Sequence, residues 1–337
     1  MQHEFQAASA LVVTFLATAC RFSAGELQGR CAEAEKKGLE FLATNQQPDG
    51  NFLTYIWRTS EPEKKAPVPA VFTACQVLYS LSFCADKAQA RAVSERAAAY
   101  LVGQRDSPGV WRYYGKRGRI SPDVDDTSMA WAALNRYGEP ISPEALEALR
   151  SSRNQDGSFN TWMGDPSTWV GIDRTDIDAV VNLNALLVFG LAHESFDSVC
   201  NYVVTQAETD AFRLGFPYYP SPLAFTYAFS RAYAVGGVSC LAKAIPKIRD
   251  ATLGFQQSDG GWGDDFETAL GTLTLLNLGE RGDAVERGLK VILARQTADG
   301  GWALTPAYSG DFGRRQYGSC AVTTAVCVEA MARYLKR

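Results

Sequence analysis

The chain has 337 residues, 46% hydrophobic and 21% charged, which is an ordinary globular balance. Its formal net charge of -4 excludes the basic footprint of a nucleic-acid binder. Only His3 and His193 are present, which argues against a His-ligated zinc site and against His-based nucleophilic catalysis, and no stretch is long and apolar enough to span a bilayer.

The first element is an apolar run, AASALVVTFLATACRF, within residues 1–25. It has the length of a secretion signal, but MQHEFQ before it carries no Lys or Arg. We read it as an additional N-terminal helix of signal-like composition. Residues 26–337 form one domain. Along it a turn pattern recurs in which glutamine or asparagine is followed by glycine and an aromatic: QQPDGNF, QRDSPGVW, NQDGSF, QQSDGGW and QTADGGW. A degenerate copy lies near Gln206. The spacing is about 50 residues, falling to about 40, which marks a repeated supersecondary unit.

Each turn is preceded by a charge-rich amphipathic helix, such as GDAVERGLKVILARQ, and followed by a more apolar one, such as DIDAVVNLNALLVFGLA. A helix that is apolar nearly all round must be buried. Six outer and six inner helices then close into a single all-α (α/α)6 toroid of six helical hairpins. No alternating β-branched run demands a sheet. The eight cysteines contain no CxxC pair and mostly sit in apolar helical runs, so we expect free, buried thiols and a reducing, cytoplasmic compartment.

SPDVDDTSMAWAAL, Ser121 to Leu134, crowds three carboxylates at the mouth of an apolar helix. Ser121 is expected to cap that helix, with Pro122 in its first turn. Acids are favoured in a first helical turn, and crowding or burial also raises a carboxyl pKa, because not all members of a cluster ionise together. A proton held this way is available for general-acid chemistry.

Turns of the Gln-x-x-Asp-Gly-x-Trp type on helical hairpins resemble the squalene-hopene cyclase and protein prenyltransferase superfamily. Asp123 to Thr127, DVDDT, resembles the Asp-x-Asp-Asp signature of class II terpene cyclases. The resemblance runs from about residue 26 to 336. It implies proton-initiated cyclisation of a linear polyprenyl substrate, most simply a prenyl diphosphate, without a redox cofactor. Asp125 would be the proton donor, with Asp123 and Asp126 hydrogen-bonding to it and tuning it. Class II cyclases of this family place the pocket between two helical domains, so here the second domain is absent, supplied by a partner domain or a second copy in a homo-oligomer, or unnecessary for a small substrate, and peripheral membrane contact is compatible with so lipophilic a substrate. Protein prenyltransferase chemistry fits poorly, because no histidine lies near the YGSC or GWGDD segments.

In such a toroid the inner helices run parallel, so their N-termini share one end. An acidic rim follows, and Asp176, Asp178, Asp265 and Glu267 are its candidate Mg²⁺ ligands. Arg174, Arg314 and Arg315 are candidates for a diphosphate head. Trp131, Phe225 and Tyr227 offer π-faces to a carbocation. Asn182 and Asn184 are polar on an apolar helix and need partners, either the acid cluster or a neighbouring helix. Two other readings share these features: a non-catalytic toroid acting as scaffold or subunit, and a glycan-active toroid using paired carboxylates.

Overall fold

A computed structural model of the protein describes residues 23–164, 176–311 and 313–336. The helix expected within residues 1–25 thus lies outside the described residues, except for its last few positions. Twelve α-helices occur among the described residues. The outer set is α1 (Ala24–Asn45), α3 (Ala88–Gln104), α5 (Pro143–Arg150), α7 (Asp197–Glu208), α9 (Ile245–Phe255) and α11 (Asp283–Arg295). The inner set is α2 (Val71–Leu81), α4 (Val124–Tyr137), α6 (Ala179–Leu191), α8 (Pro222–Ala234), α10 (Asp265–Asn277) and α12 (Cys320–Leu335). Each inner helix packs on the next, and α12 packs back on α2, which closes the ring.

Burial divides the two sets as the apolar patterning requires. Helix α6 is buried at every residue from Ala179 to Phe189. Helix α11 buries a single stripe, Val285, Gly288, Leu289 and Ile292, at the three- and four-residue spacing of one helix face.

The recurrent turns act as clips between units. Gln296 Nε2 donates to Gly300 O of its own turn and to Ala34 O of α1, both at 2.9 Å. Gln46 bonds Gly50 O and Val93 O of α3 in the same way, and Gln256 bonds Gly260 O and Ala284 O of α11. The aromatic that follows is pinned twice. Trp302 Nε1 donates 2.8 Å back to Ile292 O, while its backbone N–H donates 3.1 Å to Thr324 Oγ1 on the next inner helix. Trp111 with Thr127, and Trp262 with Thr268, repeat this arrangement. The Trp262 indole lies against two glycines. A Cβ added at Gly271 or Gly288 would come within 2.4 Å or 2.7 Å of it.

Three expectations are corrected. First, there is a sheet. β1 (Thr54–Arg58), β2 (Glu61–Val68), β3 (Tyr308–Gly310) and β4 (Arg315–Gly318) pair antiparallel in the order β2-β1-β4-β3. Its strands come from the two loops that flank the ring seam. They are short, and the pairing of β1 with β4 joins residues about 260 apart, so no local alternation announces them. Second, Cys200 on α7 and Cys240 form a disulfide, with Cα atoms 6.1 Å apart. The expectation of free thiols holds for Cys31, Cys75, Cys84, Cys320 and Cys327. Third, α4 is capped by Asp123, while the Ser121 hydroxyl donates to Met163 O.

Because Gln296 joins two units across the seam, Gln296→Ala strands two carbonyls and is expected to cost about 1–3 kcal/mol in urea denaturation. Gln257→Ala, an exposed change in a comparable turn, is expected to shift stability by less than about 0.5 kcal/mol.

Candidate active site

The parallel inner helices bring their N-termini to one end of the ring, and a cavity of about 270 Å³ opens there. Its floor holds Asp123, Asp125 and Asp126 from the start of α4. Its walls are aromatic: Phe72 in the first turn of α2, Tyr113 and Tyr114, Trp162, Tyr218 and Tyr219 before α8, and Tyr308 and Tyr317 from the sheet. Their polar ends are largely engaged with one another. Tyr113 and Tyr308 hydroxyls are 3.0 Å apart, and Tyr114 and Tyr317 hydroxyls 3.3 Å apart. Trp162 Nε1 donates 3.0 Å to the Tyr218 hydroxyl, which donates to Asp176. What remains toward the cavity is ring surface above a set of carboxyls.

The three acids differ in role. Asp123 is the helix cap: Oδ1 accepts from the Asp126 backbone N–H at 2.6 Å. Asp123 and Asp126 are buried and interact through their carboxyls, and burial followed by their mutual repulsion holds Asp126 well above the usual carboxylate range. They therefore titrate as a pair that retains a proton. Asp125 turns away from them. Its Oδ1 accepts from Asn184 Nδ2 at 2.6 Å, and its Oδ2 accepts from the Tyr219 hydroxyl. Burial raises its pKa, while those two bonds and the Arg231 charge pull it back. The expected tuning of Asp125 by hydrogen bonds from its two neighbours is thus replaced by bonds from α6 and from the loop before α8. Of the two asparagines, Asn184 reaches the acids, whereas Asn182 ties α6 to the turn at Phe159.

The other expected residues scatter. Trp131 is buried away from the cavity, its indole N–H on Gly109 O. Phe225 packs with Phe212, Phe216 and Phe229 in the core. Tyr227 lines a second, deeper chamber of about 30 Å³ on the ring axis and donates to the buried Glu329. Arg314 and Arg315 sit on an open rim beside the main cavity, joined by Arg58, with Asp311 common to both spaces. Arg174 lies outside the described residues.

The acids expected to hold Mg²⁺ do not form a ligand set. Asp176 accepts from Tyr218 and Trp162, and Asp178 caps α6 and accepts the Tyr218 N–H. Asp265 pairs with Arg295 at 3.5 Å, and Glu267 accepts from Ser221. Among the described residues no three Asp, Glu, Cys or His side chains converge as a metal site. Residues not singled out from sequence include Phe72, Tyr113, Tyr308, Tyr317 and Arg231. The aromatic-rich segments WRYYG and RRQYG were the only local signal.

No known family's sequence pattern matches the chain, and no curated protein matches it in sequence. Its three-dimensional form does have counterparts. The type II terpene cyclase MstE from Scytonema superposes with a TM-score of 0.75 at 16% identity, covering 92% of this chain and 99% of that one. The chain has the terpene cyclase toroid fold. The ent-copalyl diphosphate synthase from Streptomyces platensis matches with a TM-score of 0.55 at 19% identity, over 78% of this chain and 50% of that one. A possible member of the GH105 family from Salmonella enterica reaches 0.62 at 13% identity, over 94% and 95%. The toroid is thus one that other chemistries also use. No described helix is long and apolar enough to cross a membrane.

The buried acids also set how stability varies with pH. Burial pushes Asp178 up to about 7 and Asp264 up to about 6, against an ordinary value of 3.8. The folded chain then holds protons that the unfolded chain has released, so stability falls as pH rises between those values. Melting temperature is expected to be higher at pH 5 than at pH 7.5, and Asp178→Asn is expected to flatten that slope.

Proposed function

We propose that the protein is a class II type terpene cyclase, with Asp125 as the general acid. The observation that supports this most is one carboxyl, raised in pKa by burial, at the floor of an aromatic cavity and separate from the acid pair beside it. An alkene is a weak base, so its protonation needs an acid kept protonated until a substrate arrives and a site that then stabilises the carboxylate left behind. Burial, which raises the Asp125 pKa, works toward the first need. The donors Asn184 and Tyr219, with Arg231 behind them, meet the second.

In the reaction, the Asp125 proton moves to a terminal alkene carbon and leaves a tertiary carbocation. Successive double bonds attack it, and loss of a proton from the final cation restores neutrality, so the skeleton isomerises without oxidation. The facing rings of Tyr308, Tyr113 and Phe72 stabilise the migrating positive charge. Arg58, Arg314 and Arg315 on the rim suit an anionic head group, a diphosphate or a carboxylate. A variant of MstE was solved with its substrate geranylgeranyl dihydroxybenzoate, which pairs a polyprenyl chain with such a head. This chain spans nearly all of the MstE chain, which supports a single toroid as the frame of the proposed activity. Mg²⁺ would most simply come with a diphosphate substrate, since among the described residues no three carboxyls converge as a ligand set. A glycan-active reading needs two carboxyls facing each other across a cleft; here Asp123, Asp125 and Asp126 lie along a single helix start, and Asp176, which lines the same cavity, accepts from Trp162 and Tyr218.

Incubation with geranylgeranyl diphosphate and with geranylgeranyl dihydroxybenzoate, read by mass spectrometry, tests the reading. Asp125→Asn is expected to lower turnover by at least about 10²-fold with an unchanged helical circular dichroism spectrum. Parent-like cyclisation by Asp125→Asn would sink the assignment. Replacing Arg314 and Arg315 together by Ala is expected to raise KM about tenfold or more while kcat stays within about twofold.

A further inference from the structure

Arg231 sits on α8, 2% exposed, with its guanidinium over the Tyr79 ring at 5.0 Å and the Tyr227 ring at 4.8 Å. Its Nη2 donates 2.5 Å to Asn184 Oδ1, and its Nε and Nη1 have no hydrogen-bond partner. A guanidinium has donors only, so the Asn184 oxygen must face it. The amide is planar, and its NH₂ is thereby turned onto Asp125 Oδ1, 2.6 Å away. A donor already occupies that oxygen, so the proton of a neutral Asp125 must sit on Oδ2, toward the Tyr219 hydroxyl and the cavity. A phenol hydroxyl accepts as well as donates, so Tyr219 suits either protonation state of Asp125.

We infer that Arg231 is the positioning residue that, through Asn184, fixes the transferable proton on the cavity-facing oxygen of Asp125 and strengthens that acid as the proton leaves. The inference rests on Asp125 being the acid of the proposed reaction. Its charge acts in a defined field. Asp123 and Asp126 on α4 and Asp178 on α6 oppose proton release. Asp176 and the neutral phenols of Tyr218, Tyr219 and Tyr308 complete the near side. On the far side Glu329 of α12 faces Arg231 through Tyr227 and also accepts from Ser80 and Arg333, and Arg136 of α4 lies over Tyr79.

The protonated Asp125 carboxyl is followed by its infrared C=O band, identified as the band missing in Asp125→Asn, and titrated in the substrate-free protein. Arg231→Gln is expected to raise its midpoint by about one pH unit or more, and Arg231→Lys to stay closer to the parent. Asn184→Leu, which keeps the charge and removes the link, is expected to raise it as well, and it decides the matter alone if Arg231→Gln does not fold. In turnover of geranylgeranyl diphosphate the alkaline limb of kcat is expected to move with the midpoint while KM holds. An unmoved midpoint in Arg231→Gln or, failing that, in Asn184→Leu overturns the inference. A parent protein that cyclises neither probe overturns the proposed activity and leaves the titration result standing.

Discussion

Burying the carboxyls of Asp123 and Asp126 and half-burying that of Asp125 is the costly act around which this end of the molecule is arranged. A lone buried carboxylate is paid for by donors or by retaining its proton, and the start of α4 uses both. Asp123 and Asp126 face each other and keep a proton between them. Asp125 instead receives donors from α6 and from the loop before α8. The divergence arises from helix geometry: the cap residue and the third helical position meet naturally, while the residue between them points across the ring. A single helix start thus carries both a structural pair and an isolated acid.

The toroid supplies that isolation. Six inner helices running the same way place six N-termini around one opening, and the fixed partial positive charge at each favours acids there. The caps Asp123, Asp178 and Asp264 are products of that rule, which is why acidic clusters recur at this end. The sheet and the tyrosine-bearing loops then roof the opening. Ser309 donates from its N–H to Tyr218 O and from its hydroxyl to Pro217 O, which fixes the strand wall to the loop that carries Tyr219.

The architecture could be read from the chain because its signals are local and repeated. Gln46, Gln256 and Gln296 do the same job with the same spacing, and the apolar inner helices have a composition distinct from their outer partners. The acid motif was also local, so Asp123, Asp125 and Asp126 could be singled out as candidates. The cavity walls were not, because they depend on contacts across the ring. Tyr308 and Tyr113 meet from segments 195 residues apart, and Trp131 and Phe225 resemble pocket aromatics until packing places them elsewhere. Arg231 carries no motif at all. Only the approach of α8 to α6 reveals that a charged residue on an apolar helix belongs to the acid on α4. The Cys200–Cys240 bond was equally silent, since neither cysteine sits in a spacing pattern.

The seam of the ring has a temporal side. Helix α1 leans on α11 and α12, and β1 hydrogen-bonds with β4, so the α1–α2 hairpin, which packs on α3 and α4 at one flank, finds its neighbour at the other flank only after the α11–α12 hairpin has emerged. Until then the early inner helix has an uncovered flank, and the wall of the cavity does not yet exist. The site is therefore complete only once the α11–α12 hairpin is in place, and a ring lacking that hairpin would be an open crescent with apolar edges, a natural target for chaperones and proteases.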